Sequence, residues 1–181
     1  NARHTPIASL APEVAERTIT LMAPSKTFNV AGLKCAFAII PNAELRSRYE
    51  TARRGIVPGV NLLGLTAALA AYRDSDTWLA ALLAYLEGNR DHLAQFVAQE
   101  LPGVHMWPSE GTYLAWLDCR EVESDGLKPG EFFLKRARVA LNDGADFGAN
   151  GAGFVRLNFG CSRATLDAGL ERMRNALMGW S

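Results

Sequence analysis

The chain has 181 residues, enough for one ordinary domain or for two small lobes. Apolar residues make up 49% and charged residues 21%, a globular composition that excludes a disordered chain. Lys and Arg number 19 and Asp and Glu 19, so the formal net charge is zero and no broad basic footprint offers itself to nucleic acid.

Residues 1–18 mix Pro, Ser, Thr and charge, which reads as loop with a helical turn near Pro12–Arg17. Ile19–Met22 and Cys35–Ile40 are short apolar runs without alternation, the pattern of strands covered on both faces of an α/β sheet. Pro24 breaks the chain between them, and Pro41-Asn42 turns it after them. A polar helix is expected from Asn42 to Arg54, stopped by Gly55. Its Arg46, Arg48, Arg53 and Arg54 read as a solvated face. Asn61 can cap a second helix, with Leu62, Leu65, Leu69 and Tyr72 spaced by three and four. A break at Asp74–Asp76 precedes the longest helix, about Asp76 to Leu101, whose Leu79, Leu83, Leu86, Leu93, Phe96, Val97 and Leu101 mark one face. Pro102-Gly103 ends it.

Beyond Gly103 the pattern is strand–strand–helix–strand–helix, an α+β packing. Val104–Trp107, Thr112–Leu117 and Phe154–Phe159 read as strands, and Pro129–Leu141 as a helix. Asn142–Gly153 reads as a Gly-rich loop, and Ser162 as the cap of a last helix through Leu166, Leu170, Met173 and Leu177. Tyr113 and Trp116 should face opposite sides of their strand, with Trp116 in the core.

Cys35, Cys119 and Cys161, and His4, His92 and His105, are scattered without ligand spacing, so no metal site is expected. Unpaired thiols fit a cytoplasmic location. No run reaches the length of a membrane span. No leader pattern is visible, and the start at Asn1 in loop-like sequence leads us to expect an upstream portion.

The chemistry-bearing candidate is Ala23-Pro24-Ser25-Lys26-Thr27-Phe28-Asn29. A lysine flanked by hydroxyls and apolar runs should be largely buried; burial lowers an amine pKa and favours imine formation with an aldehyde. Composition alone would still make Lys26 an ordinary surface lysine. A phosphate-binding P-loop would need Gly where Ser25 and Thr20 stand, and a penicillin-binding-type nucleophile would need Ser at Ala23.

The segment LMAPSKTFNVAGLKCAFAII, followed in order by NLLGLTAALAAY, EGTYLAWLDC, VALNDGADFG and GFVRLNFGCSRATLDAGLERM, resembles the fold-type I pyridoxal-phosphate (PLP) enzymes of the class I/II aminotransferase superfamily. Within it the likeness is strongest to cystathionine β-lyase-like C–S lyases, and it covers essentially the whole chain. The resemblance implies an α/β fold: residues 1–75 as the C-terminal part of the large PLP-binding domain, 76–101 as a bridging helix, and 102–181 as a small α+β domain. It implies that Lys26 holds the cofactor and later moves protons. Ser25 and Lys34 would sit at its phosphate; other members often carry Arg at the latter position. Arg156 in VRLNFG would grip the substrate α-carboxylate, since a guanidinium can make two parallel bonds to it. Without the resemblance, Arg156 is an ordinary strand arginine with a solvent-facing end. The Gly-rich loop would run over the active-site mouth.

The implied reaction is β-elimination from cystathionine or a cysteine S-conjugate, with a small amino acid as substrate, no nucleic acid or membrane partner, and a homodimer as assembly. An aminotransferase would share every residue named, and a regulatory or binding role for a PLP-fold protein is a further alternative. The family's carboxylate for the pyridine nitrogen, its ring-stacking aromatic and its phosphate-binding glycine turn all precede the lysine. Asn1–Thr20 offers only Glu13 and Glu16 in another context, so this stretch alone should be catalytically incomplete and a weak cofactor binder.

Overall fold

A computed structural model describes residues 4–179. Two compact units meet between Ala81 and Leu82, inside one long helix; each is described by itself.

In the first unit a short helix α1 (Pro12–Ala15) starts at a proline and leads into strand β1 (Thr20–Met22). Strand β2 (Phe37–Ile39) pairs with it antiparallel, Thr20 opposite Ile39 and Met22 opposite Phe37. Helix α2 (Ala43–Arg53) begins where Asn42 Oδ1 accepts the Leu45 N–H at 2.9 Å, and Gly55 follows it at φ +77°. Helix α3 (Leu62–Asp74) is capped in the same way by Asn61, and helix α4 (Asp76–Glu100) starts after Ser75. Asn and Asp side chains suit these positions because they satisfy amides that have no helical partner.

The apolar runs around Lys26 do form strands, but not strands covered on both faces. Leu21, Met22, Phe37 and Ile39 are all exposed. Among the described residues of this unit only Pro24, Cys35, Ile40, Gly64 and Ala71 are buried. What orders the unit instead is an aromatic cluster. The Phe28 ring meets Tyr72 edge-on at 5.5 Å and stacks on Trp78 at 6.2 Å, and Phe37 meets Tyr72 at 6.0 Å.

The second unit has a conventional core. Four antiparallel strands lie in the order β3 (His105–Met106), β4 (Leu114–Asp118), β6 (Phe154–Asn158), β5 (Asn142–Asp143). Ala115, Leu117, Val155 and Leu157 form one sheet face. They are buried with Leu93 and Val97 of α4, Phe132, Phe133 and Ala137, and Leu166, Leu170 and Met173 of α6 (Arg163–Leu177). The 3.6-residue spacing of the α6 residues puts them on one stripe, as the sequence predicts. Of the apolar face expected for α4, Leu93, Val97 and the following Leu101 are buried, whereas Leu83 is exposed.

The expected Pro129–Leu141 helix is shorter. Helix α5 (Pro129–Phe132) continues as a π-helical turn over Phe133–Ala137 and stops at Arg138, which is left-handed at φ +54°. The Gly-rich stretch contains β5 and two 3₁₀ turns, Gly144–Phe147 and Ala149–Gly151. Tyr113 and Trp116 do face opposite sides. Tyr113 packs on the core, but Trp116 lies on the other sheet face, stacked on Phe154 at 5.7 Å, which corrects its expected place in the core.

Candidate functional site

Lys26 rides on a six-residue turn between β1 and a 3₁₀ turn at Ala31–Leu33. Phe28 N–H donates to Pro24 O at 2.9 Å and Val30 N–H to Ser25 O at 3.1 Å, while Asn29 takes the left-handed conformation at φ +55°. Pro24 is buried and Phe28 is pinned in the aromatic cluster, so the turn is fixed at both ends. The burial expected for Lys26 is not found: its side chain is exposed, and Ser25 is half-buried.

Lys34 is exposed and left-handed at φ +52°, closing the Ala31–Leu33 turn. That turn is bolted to α3. Asn61 Nδ2 donates to Leu33 O at 2.9 Å, and Asn61 Oδ1 accepts from Gly64 N at 2.8 Å. A side chain at Gly64 is excluded, because a Cβ there would stand 2.6 Å from Leu33 O. Neither Lys26, Lys34 nor Ser25 has a side-chain hydrogen bond or ion pair among the described residues. Two uncommitted amines and a hydroxyl on one short, fixed segment are a donor set that suits an aldehyde bearing a phosphate.

Arg156, in the second unit, lies on β6 directly opposite Trp116 of β4 and beside Asn142 of β5. It faces away from the core. Its Nη2 donates to Asn142 Oδ1 at 3.1 Å, its Cζ lies 4.4 Å from the centre of the Phe147 ring, and its Nε is buried with no partner. Phe147 in turn meets Trp116 edge-on at 5.7 Å. The guanidinium is therefore held by one edge and one face, with donor capacity left over for an anion.

The turn of chain after β6 is organised from α4. Asn89, fully buried, donates through Nδ2 to Phe159 O at 3.1 Å and to Cys161 O at 2.9 Å, and its Oδ1 accepts from Arg163 Nε at 2.9 Å. At the end of β4, Arg120 grips the buried Asp118 through Nε and Nη2 at 2.9 and 2.6 Å and holds its carboxyl below the ordinary range, against the opposing effect of burial. Burial, with Asp118 adding, pushes the Cys119 thiol up to about 12, so it is an inert thiol. Asn89, Asn142 and Phe147 carry no local sequence signal: their roles arise from strand register and helix packing.

No helix among the described residues is long and apolar enough to cross a membrane, and no cluster of three or more His, Cys, Asp or Glu forms among them.

Comparison with known proteins bears on this geometry. The family model for aminotransferase class I and II matches residues 2–173. The chain belongs to the aminotransferase class I and II family. Cystathionine beta-lyase PatB of Bacillus subtilis is 40% identical over 176 residues, which is 97% of this chain and 46% of PatB. The crystal structure of cystalysin from Treponema denticola, which contains a pyridoxal 5'-phosphate cofactor, matches with a TM-score of 0.90 at 29% identity, over 98% of this chain and 45% of that one. The PLP-bound C–S lyase of Staphylococcus hominis matches with a TM-score of 0.82 at 33% identity, over 90% of this chain and 43% of that one. The chain thus spans a little under half the length of these relatives. The α/β fold expected from the sequence is the one they share.

Proposed function

We propose that the whole protein is a PLP-dependent C–S β-lyase, splitting cystathionine or a related cysteine S-conjugate with water into a thiol, pyruvate and ammonia. The uncommitted Lys26 amine on its fixed turn carries this reading, in a chain 40% identical to a cystathionine beta-lyase. PLP, when bound, supplies the aldehyde that takes the amino group and the ring that accepts the electron pair left at Cα. Lys26 would hold the cofactor through Nζ and would take the Cα proton of the substrate at the same atom. The Ser25 hydroxyl and the Lys34 ammonium donate to the phosphate. Arg156 binds the α-carboxylate, which fixes the orientation of the Cα–H bond.

Residues 1–75 are read as part of the cofactor-binding domain, 76–101 as the bridging helix and 102–181 as the small domain. The exposed Leu62, Leu63 and Leu69 of α3 suit a homodimer contact, and three free cysteines suit the cytoplasm. The purified whole protein, given PLP and cystathionine without any keto acid, should release pyruvate and thiol in equal amounts. Amino-group transfer to a keto acid with no pyruvate would instead make it an aminotransferase, the activity by which its family is described.

A further inference from the structure

Arg156 can make a paired contact with a carboxylate only if its guanidinium plane is set before the ligand arrives. A strand side chain of four rotatable bonds does not set itself. Two neighbours in the second unit can do so. Asn142 Oδ1 holds Nη2 at 3.1 Å, and the Phe147 ring lies under Cζ at 4.4 Å.

Phe147 is 51% exposed and has no place in the core. Its position is nevertheless defined. Its own 3₁₀ turn opens where Asp143 Oδ1 accepts the Ala145 N–H at 2.9 Å and closes through Gly148 N–H to Ala145 O at 3.2 Å. Gly144 and Gly151 press back to back, so that a Cβ on either would collide with the other's carbonyl oxygen. Trp116, itself stacked on Phe154, buttresses the ring edge-on from β4. A large apolar ring kept half in solvent on so constrained a turn has a partner to serve, and that partner is the Arg156 guanidinium.

We propose that Phe147 and Asn142 are positioning residues for the Arg156 anion site. Phe147 sets the guanidinium plane by cation–π stacking, and Asn142 fixes its rotation in that plane. The ligand class is a carboxylate, so the inference rests on Arg156 as the α-carboxylate site.

The test uses the whole protein with PLP and its amino-acid substrate, and pairs steady-state kinetics with nitrogen NMR of the Arg156 guanidinium. Phe147→Leu should raise KM about two- to fivefold, the range of an exposed cation–π contact, with a smaller change in kcat. Rotation about the Arg156 Cζ–Nε bond should quicken in the same variant. Phe147→Tyr should restore both KM and slow rotation, which a merely space-filling role would not require. Asn142→Ala should quicken rotation further when combined with Phe147→Leu. Unchanged KM and unchanged rotation in Phe147→Leu overturn the proposal, as does a loss that Phe147→Tyr fails to rescue. Arg156→Lys separates the two ideas. If it leaves KM unaltered, the carboxylate reading falls and this inference with it; if it raises KM while Phe147→Leu does not, only the positioning role falls.

Discussion

Asn89→Ala removes a side chain that no solvent reaches and that makes three hydrogen bonds: two to the carbonyls of Phe159 and Cys161, and one from Arg163. The Phe159 carbonyl is buried and loses its side-chain donor outright, at about 1–3 kcal/mol for such a group. The Cys161 carbonyl and the Arg163 guanidinium are partly reached by water and recover part of their loss. Taken together the variant should lose about 3 kcal/mol. Asn89→Asp keeps the Arg163 contact but sets a carboxylate against two carbonyl oxygens, so it should not rescue. Urea unfolding followed by tryptophan fluorescence reads the effect. A loss below about 1 kcal/mol in Asn89→Ala would mean that these three bonds do not hold the turn after β6, because a buried network of this kind costs more than that to break.

Gly64→Ala forces a Cβ against Leu33 O, so it should cost about 1–3 kcal/mol and loosen the Lys34 turn, visible as faster tryptic cleavage after Lys34. Asp118 is held below the ordinary carboxylate range when folded, so its contribution is present above about pH 4 and is lost as pH falls through its lower folded value. Acid unfolding of Asp118→Asn should accordingly show a shallower dependence on pH in that window, and an unchanged slope would show that Arg120 does not stabilise the carboxylate. Cys119, with its thiol pushed up to about 12, should stay unmodified by iodoacetamide at pH 8 in the folded protein and react after unfolding, as peptide mass spectrometry would report.

How much could be read from the sequence varied with the range of the interaction. Caps at Asn61 and Ser162 were legible because each capping side chain bonds an amide only three residues away, whereas Asn42, read as part of a turn, also proves to be a cap. The α6 stripe and the break at Asp74–Asp76 were legible for the same local reason. The end of the helix after Pro129 was not, since Arg138 takes a left-handed conformation with no glycine to announce it. Lys26 could be singled out by its motif, yet its exposure could not, because burial depends on layers that lie elsewhere. Trp116 was misplaced because an apolar residue was assumed to seek the core, whereas here Phe154, Phe147 and Arg156 make a second surface for it. Asn89 has no local signal, and only the packing of β6 and α6 on α4 gives it three partners.

The role of Lys26 is tested most simply by reducing the PLP-loaded whole protein with borohydride and locating the resulting cofactor-modified lysine by peptide mapping. Modification is expected at Lys26, with loss of that modification and of nearly all pyruvate release in Lys26→Ala, and none at Lys34, Lys128 or Lys135. Modification at another lysine, or a Lys26→Ala variant that still eliminates at near-normal rate, would contradict that role.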